Sequence, residues 1–289
     1  MTYKLENLGT GSALRQRLEE DLSTAEIEAL ESTIQPFIEI DVAPSQSSQA
    51  PTVGQSRLGG FPDLPVGFEY PRLKGKPAVL LAQINFAEVP SLEEFPETGL
   101  LQFYLADQPL QEFDYRFDLH QQNDAAALFF PAPLDDFIPQ THNRTQSNNP
   151  FIPTHHRLQF ERKLAPATPF DTEFADLTIA LEDFEFFGEN YETALGELAD
   201  SDDKNLITAL NLLGGGGHKL GGYPGFLQGD PRQDIFPTTD WDPDEPFELL
   251  LRLISTRDVN VAGFHLYFLI KRSDLLRRDF SKVVFYFDR

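Results

Sequence analysis

The feature that most limits the folds open to this chain is a repeat within it. Residues 56–62 read Ser-Arg-Leu-Gly-Gly-Phe-Pro, and residues 218–224 read His-Lys-Leu-Gly-Gly-Tyr-Pro. Each motif leads to an apolar stretch broken by one polar side chain. These are Val79-Leu80-Leu81-Ala82-Gln83-Ile84 and Leu249-Leu250-Leu251-Arg252-Leu253-Ile254. Each then reaches a glycine and an aromatic-rich strand, Gly99 to Leu105 in the first copy and Gly263 to Leu269 in the second. Three matching elements in the same order argue for an internal duplication. Two copies are too few for a solenoid and fit a pair of pseudo-symmetric antiparallel half-domains sharing a core.

Around this repeat the sequence reads as an α+β protein, a single globular unit over 1–289. Residues 1–42 are expected to form N-terminal helices and a strand, 43–138 a first β-rich repeat, 139–213 a connecting loop and helical acidic insert, and 214–289 a second β-rich repeat. Leu14, Leu18 and Leu22 recur at helical spacing and mark one apolar face. Ser23 and Glu26 have the spacing of a capping box, opening a helix that turns Ile27, Leu30 and Ile34 inward and stops before Pro36. Phe37 to Val42 reads as a strand, and 43–56 as a polar loop. Helices are expected at Glu189 to Leu198 and at Asp202 to Leu213, the latter ending at the Gly214–Gly217 run. The chain closes with a helical turn at Ser273 to Leu276 and a strand from Lys282 to Phe287.

Charge narrows the partners. The 289 residues carry 46 Asp and Glu against 23 Lys and Arg, a net charge of −23. Such a chain is poorly suited to nucleic-acid phosphates or to anionic membrane surfaces, since both demand excess basic side chains. The absence of cysteine excludes disulfides, thiol nucleophiles and cysteine-ligated metals. The start of the chain lacks the apolar core of a signal peptide, which points to a cytoplasmic protein. The acidity is uneven. Residues 171–203 hold 12 carboxylates and no Lys or Arg, whereas 252–289 hold eight Lys or Arg against four Asp. The acidic stretch suits a face that captures a basic protein partner by electrostatic steering.

No catalytic constellation stands out. The glycine run before His218 and Lys219 lacks the Ser or Thr that a phosphate loop places after its lysine. Asp240 to Glu245 begins like a calcium loop but has Glu245 at the sixth position, where glycine is needed, and Leu251 at the twelfth. The six histidines show no metalloprotease spacing, and there is no nucleophile-elbow serine. No catalytic residue, metal or cofactor is therefore expected. The candidate binding residues cluster at the two turns: Arg57, Gly59, Gly60 and Gln83 in the first copy, and His218, Lys219, Gly221, Gly222, Gln228, Asp230 and Arg232 in the second. The glycines either shape tight turns or expose backbone N–H groups to an anion. Arg57 and Lys219 occupy equivalent places, so the two turns could face one cleft and hold a small anionic ligand there.

Several segments resemble the YwqG-like family of bacterial proteins of unknown function. They are SRLGGFPDLPVGFEYP, VLLAQINFAEVP and GLLQFYL in the first half, and HKLGGYPGFLQGDPR, LLLRLIST and FLIKRSDLLRRDFSKV in the second. Arg252 departs from the family pattern, which is expected to carry Gln there. The resemblance implies an α+β fold with a duplicated β core and brings no established reaction or site residue. An association of relatives with toxin–immunity modules adds an expectation of an immunity-type, non-catalytic interaction protein. The alternative is a small-molecule or anion-binding protein, or an enzyme, using a cleft between the repeats.

Overall fold

A computed structural model describes residues 3–8, 18–20, 22–43, 51–113, 124–140, 155–169, 216–227, 229–234, 247–256 and 263–288, with isolated residues 171, 173, 177, 214, 245, 259 and 261. Its strands are β1 (Gln35–Val42), β2 (Arg57–Leu58), β3 (Asp63–Pro65), β4 (Arg72–Leu73), β5 (Lys76–Pro77), β6 (Val79–Asn85), β7 (Leu100–Leu105), β8 (Ala125–Phe130) and β9 (Phe137–Pro139). They continue with β10 (His156–Ala165), β11 (His218–Leu220), β12 (Phe247–Ile254), β13 (His265–Lys271) and β14 (Val284–Asp288). Three short α-helices accompany them among the described residues: α1 (Thr24–Ser32), α2 (Pro231–Asp234) and α3 (Arg272–Arg277).

Ten strands form one antiparallel sheet in the order β14-β13-β12-β11-β1-β10-β2-β6-β7-β8. The repeated elements run outward in matching order from the central pair, β10-β2-β6-β7-β8 on one side and β1-β11-β12-β13-β14 on the other. Arg57 lies opposite Gln83, and Lys219 opposite Arg252. Register shifts fall at matching places, between Leu80 and Ala82 and between Leu249 and Leu251. A bulge adds a residue and changes which face the following side chains occupy, so its repetition keeps the two halves in step.

Alternation along the strands separates two faces. Leu58, Ala82, Ile84, Leu101, Phe103, Leu220, Leu251, Leu253, Leu266 and Phe268 share one buried core. The sheet curves around that core into a nearly closed barrel. Phe103 of β7 meets Phe268 of β13 edge to face at 4.8 Å, and Phe129 of β8 packs on Phe280 at 5.0 Å. Full burial of one Phe contributes about 1.5–3 kcal/mol, so this aromatic seam is a large part of what joins the halves. Arg278 adds a polar tie, donating from Nη2 to the carbonyl of Phe95 at 3.2 Å.

This architecture corrects the α+β expectation. The molecule is mostly β, and the repeats are flanks of one sheet in place of two packed half-domains. β1 and β10 lie outside both repeats in sequence, yet they form the centre, paired along eight residues from Gln35↔Ala165 to Val42↔Leu158. Pairing of this kind is non-local, so the repeat pattern carries no sign of it. The N-terminal helical pattern yields α1 and the helical residues 18–20. Ser23 caps α1 reciprocally with Glu26, as its spacing requires. Leu18, Leu22, Leu30 and Ile34 form a satellite core with Leu5 and Ala167. Leu14 and the expected helices at 189–198 and 202–213 lie outside the described residues.

Candidate functional site

The side chains opposite the main core build two buried polar networks, one behind each Leu-Gly-Gly turn. In both, two glycines follow a short strand with positive φ: Gly59 at 66° and Gly60 at 74°, Gly221 at 65° and Gly222 at 68°. Glycine adopts this conformation without steric cost. The turns are packed against other parts of the fold. A Cβ on Gly222 would stand 2.8 Å from Phe37 Cβ, and one on Gly221 would stand 2.6 Å from Leu92.

The first network is closed by a carboxylate. Arg57, only 2 % exposed, meets Asp63 with Nη1 and Nη2 each 3.0 Å from a carboxylate oxygen. Its remaining contacts are the carbonyls of Gln55 and Phe61. Asp63 Oδ2 also accepts from Gly54 N and from Gln83 Nε2, both at 2.8 Å. Gln83 Oε1 accepts from Asp63 N at 3.0 Å and from Gln102 Nε2 at 2.7 Å, and Tyr104 Oη donates to Gln102 Oε1 at 2.6 Å. Burial drives the Tyr104 phenol well above its usual pKa, so it stays a neutral donor.

The second network has different chemistry at the same positions. Lys219 stands for Arg57, Arg252 for Gln83, Tyr267 for Gln102, and Gly225 for Asp63. Lys219 Nζ donates to the Gly214 carbonyl at 3.0 Å and lies 5.4 Å from the centre of the Phe37 ring. Arg252 donates through Nε and Nη2 to Gly217 O and through Nη1 to Pro224 O at 2.9 Å. Asp171 comes in from outside the repeats: Oδ1 accepts from Gly225 N, and Oδ2 from the N and Oγ1 of Thr168. Burial, then Arg252, push Lys219 well below its ordinary pKa, with Asp171 opposing. Burial followed by Arg252 lowers His218 to about 4, and the same causes with His218 added lower His265 to about 3. Both imidazoles are thus neutral near pH 7. His218 Nδ1 accepts from Ile254 N at 3.1 Å.

The candidate residues therefore fall into separate groups. Strands β2 and β11 are three strand spacings apart across β10 and β1, roughly 14 Å along the sheet, so Arg57 and Lys219 serve different networks in place of one cleft. Asp230 and Arg232 form a third cluster: Arg232 Nε contacts both Asp230 oxygens at 2.9 Å, and Nη2 reaches Glu173 at 2.7 Å. Gln228 lies outside the described residues, as do residues 240–244 of the acidic loop. Among the described residues no group of three or more His, Asp or Glu is placed to hold a metal ion, and no helix is long and apolar enough to cross a membrane.

Asp63, Tyr104, Asp171, His265 and Tyr267 were not among the candidates. A signal for Asp63 was present, because it and Gly225 are the eighth residues of the two aligned segments. Asp171 gave none, since it belongs to neither repeat.

The match to known families runs from residue 56 to residue 288, across both networks. The chain belongs to the family described as a domain of unknown function, DUF1963. The DUF1963 match begins after β1, the strand that joins the two halves of its sheet. No curated protein matches the chain.

Proposed function

We propose that this chain is a non-catalytic binding protein, YwqG-like within its family, whose acidic segment engages a basic protein partner as an immunity-type neutraliser does. The observation that carries this reading is the root of that segment. Asp171 is tied to Gly225 and Thr168, and Glu173 to Arg232, at the head of a stretch with 12 carboxylates and no Lys or Arg. A concentrated negative charge anchored at the barrel accelerates and orients the approach of a basic surface. The two interior networks support a scaffold role, because their polar groups contact the protein's own backbone and side chains. The cysteine-free sequence fits a cytoplasmic setting.

The test is capture from a native lysate on the immobilised protein, beside a variant with Glu182, Asp183, Glu185, Glu189 and Glu192 changed to their amides. A partner of basic pI should bind the parent, elute as salt rises from about 0.1 to 0.5 M, and be missing from the variant. A partner retained equally by the variant, or indifferent to salt, overturns the reading.

A further inference from the structure

The repeats stay aligned past their two turns, and there the copies differ in the side chains they show to solvent. Gly67 and Gly229 are the twelfth residues of the aligned segments, and both have positive φ, 81° and 112°. The second repeat flanks its glycine with the polar residues Gln228 and Asp230, and Asp230 is held by Arg232. The first repeat flanks its glycine with Val66, 65 % exposed, and Phe68, 45 % exposed. One copy thus keeps the glycine with polar flanks, so the backbone there does not demand apolar ones. Ile138, 45 % exposed, joins Val66 and Phe68, because β9 pairs with β3 from Asp63↔Pro139 to Pro65↔Phe137 and Val66 N donates to Asp136 O at 3.0 Å. Three of the five large apolar side chains exposed among the described residues therefore lie at this one corner. Single exposed apolar side chains are ordinary on a protein surface, whereas a group of them marks a contact site. The corner is firmly built. Phe68 meets Phe130 of β8 edge to face at 5.2 Å, and Phe130 meets Phe137 in the same way at 5.4 Å. A platform already ordered loses little entropy when a partner binds. Its rim is acidic: Glu69, Asp135 and Asp136 are exposed, and residues 59–71 and 131–140 hold no Lys or Arg.

We propose that this corner is a docking surface for a basic protein segment, whose aliphatic or aromatic side chain covers Val66, Phe68 and Ile138 while its Lys or Arg residues meet Glu69, Asp135 and Asp136. Apolar burial supplies the affinity, and the carboxylates select the sign of the partner's charge. A second copy of this chain suits the corner poorly, since it brings the same carboxylates and a net charge of −23 against them. An anionic membrane surface is repelled for the same reason. Phe68 rests on β8 at the edge of the sheet, whereas the acidic segment is rooted beside Gly225 in the second repeat, so either surface can fail without the other.

Fluorescence anisotropy of the full chain with three labelled peptides of equal length tests it. The first carries Leu and Phe flanked by Lys and Arg, the second has the same flanks around Ser and Gln, and the third has the apolar centre flanked by Glu. Only the first should bind saturably, and its affinity should fall as salt rises. Val66→Gln combined with Phe68→Asp installs the residues of the second repeat and should weaken binding at least about tenfold, the effect of losing an anchor from a contact surface. Phe68 also packs on Phe130, so Val66→Gln combined with Ile138→Thr, which leaves that ring pair in place, decides the matter if the first variant does not fold. The amide variant of the acidic segment should bind the first peptide as the parent does. Failure of the first peptide to bind, equal affinity for the two basic peptides, unchanged affinity in the surface variants, loss of binding in the amide variant, or self-association of the parent that Val66→Gln abolishes each overturns the proposal.

Discussion

Arg57 and Lys219 occupy the same place in the repeat and should lose stability to very different degrees when their charge is removed. Arg57→Met leaves Asp63 buried without its counter-ion, which costs about 3–5 kcal/mol. Lys219→Met removes one hydrogen bond from a group whose charged form burial and Arg252 already disfavour, at a cost of about 1 kcal/mol. Urea unfolding of the two variants checks the contrast. Histidine gives a second test. The folded pKa of His218 is about 4, below its ordinary 6.5, so the unfolded chain binds the proton first as pH falls. The stability that His218 contributes is present above about pH 6.5, declines through the window and is lost below pH 4, a change of roughly 3 kcal/mol. Replacing His218 by Asn should flatten the fall in unfolding midpoint between pH 7 and pH 5.

At the scale of elements, β1 is the strand on which the sheet depends most. It pairs with β10 along its whole length and with β11 at Ile38, Glu39 and Ile40. A chain begun at residue 56 keeps the whole family match but loses this strand, and β10 and β11 are left with open edges. Such a truncation should show no cooperative thermal transition and should aggregate. A cooperative melt like that of the full chain would show that β1 is dispensable. The glycine turns admit a finer test. Gly222→Ala sets a Cβ against Phe37 at positive φ and should cost about 2–3 kcal/mol. Gly67 has φ +81° and open space around it, so Gly67→Ala should cost about 1 kcal/mol, from the backbone alone.

Across the whole molecule, one sheet carries two unequal halves. The sequence by itself determined the repeated strands, because alternation and the Leu-Gly-Gly turns act over a few residues. It determined the capping of α1 by Ser23 and Glu26 for the same reason. It also showed the substitutions of Lys219 for Arg57 and Arg252 for Gln83, without showing that all four side chains are buried. Only the tertiary structure decided that β1 and β10 stand between the repeats, turning an expected pair of half-domains into a nearly closed barrel. Only it placed Asp63 on Arg57 and brought Asp171 beside Gly225, 54 residues away in the chain. Short-range patterns fix which residues form strands and turns. Strand partners and counter-charges are fixed by which distant groups must share a buried space, and no local pattern encodes that.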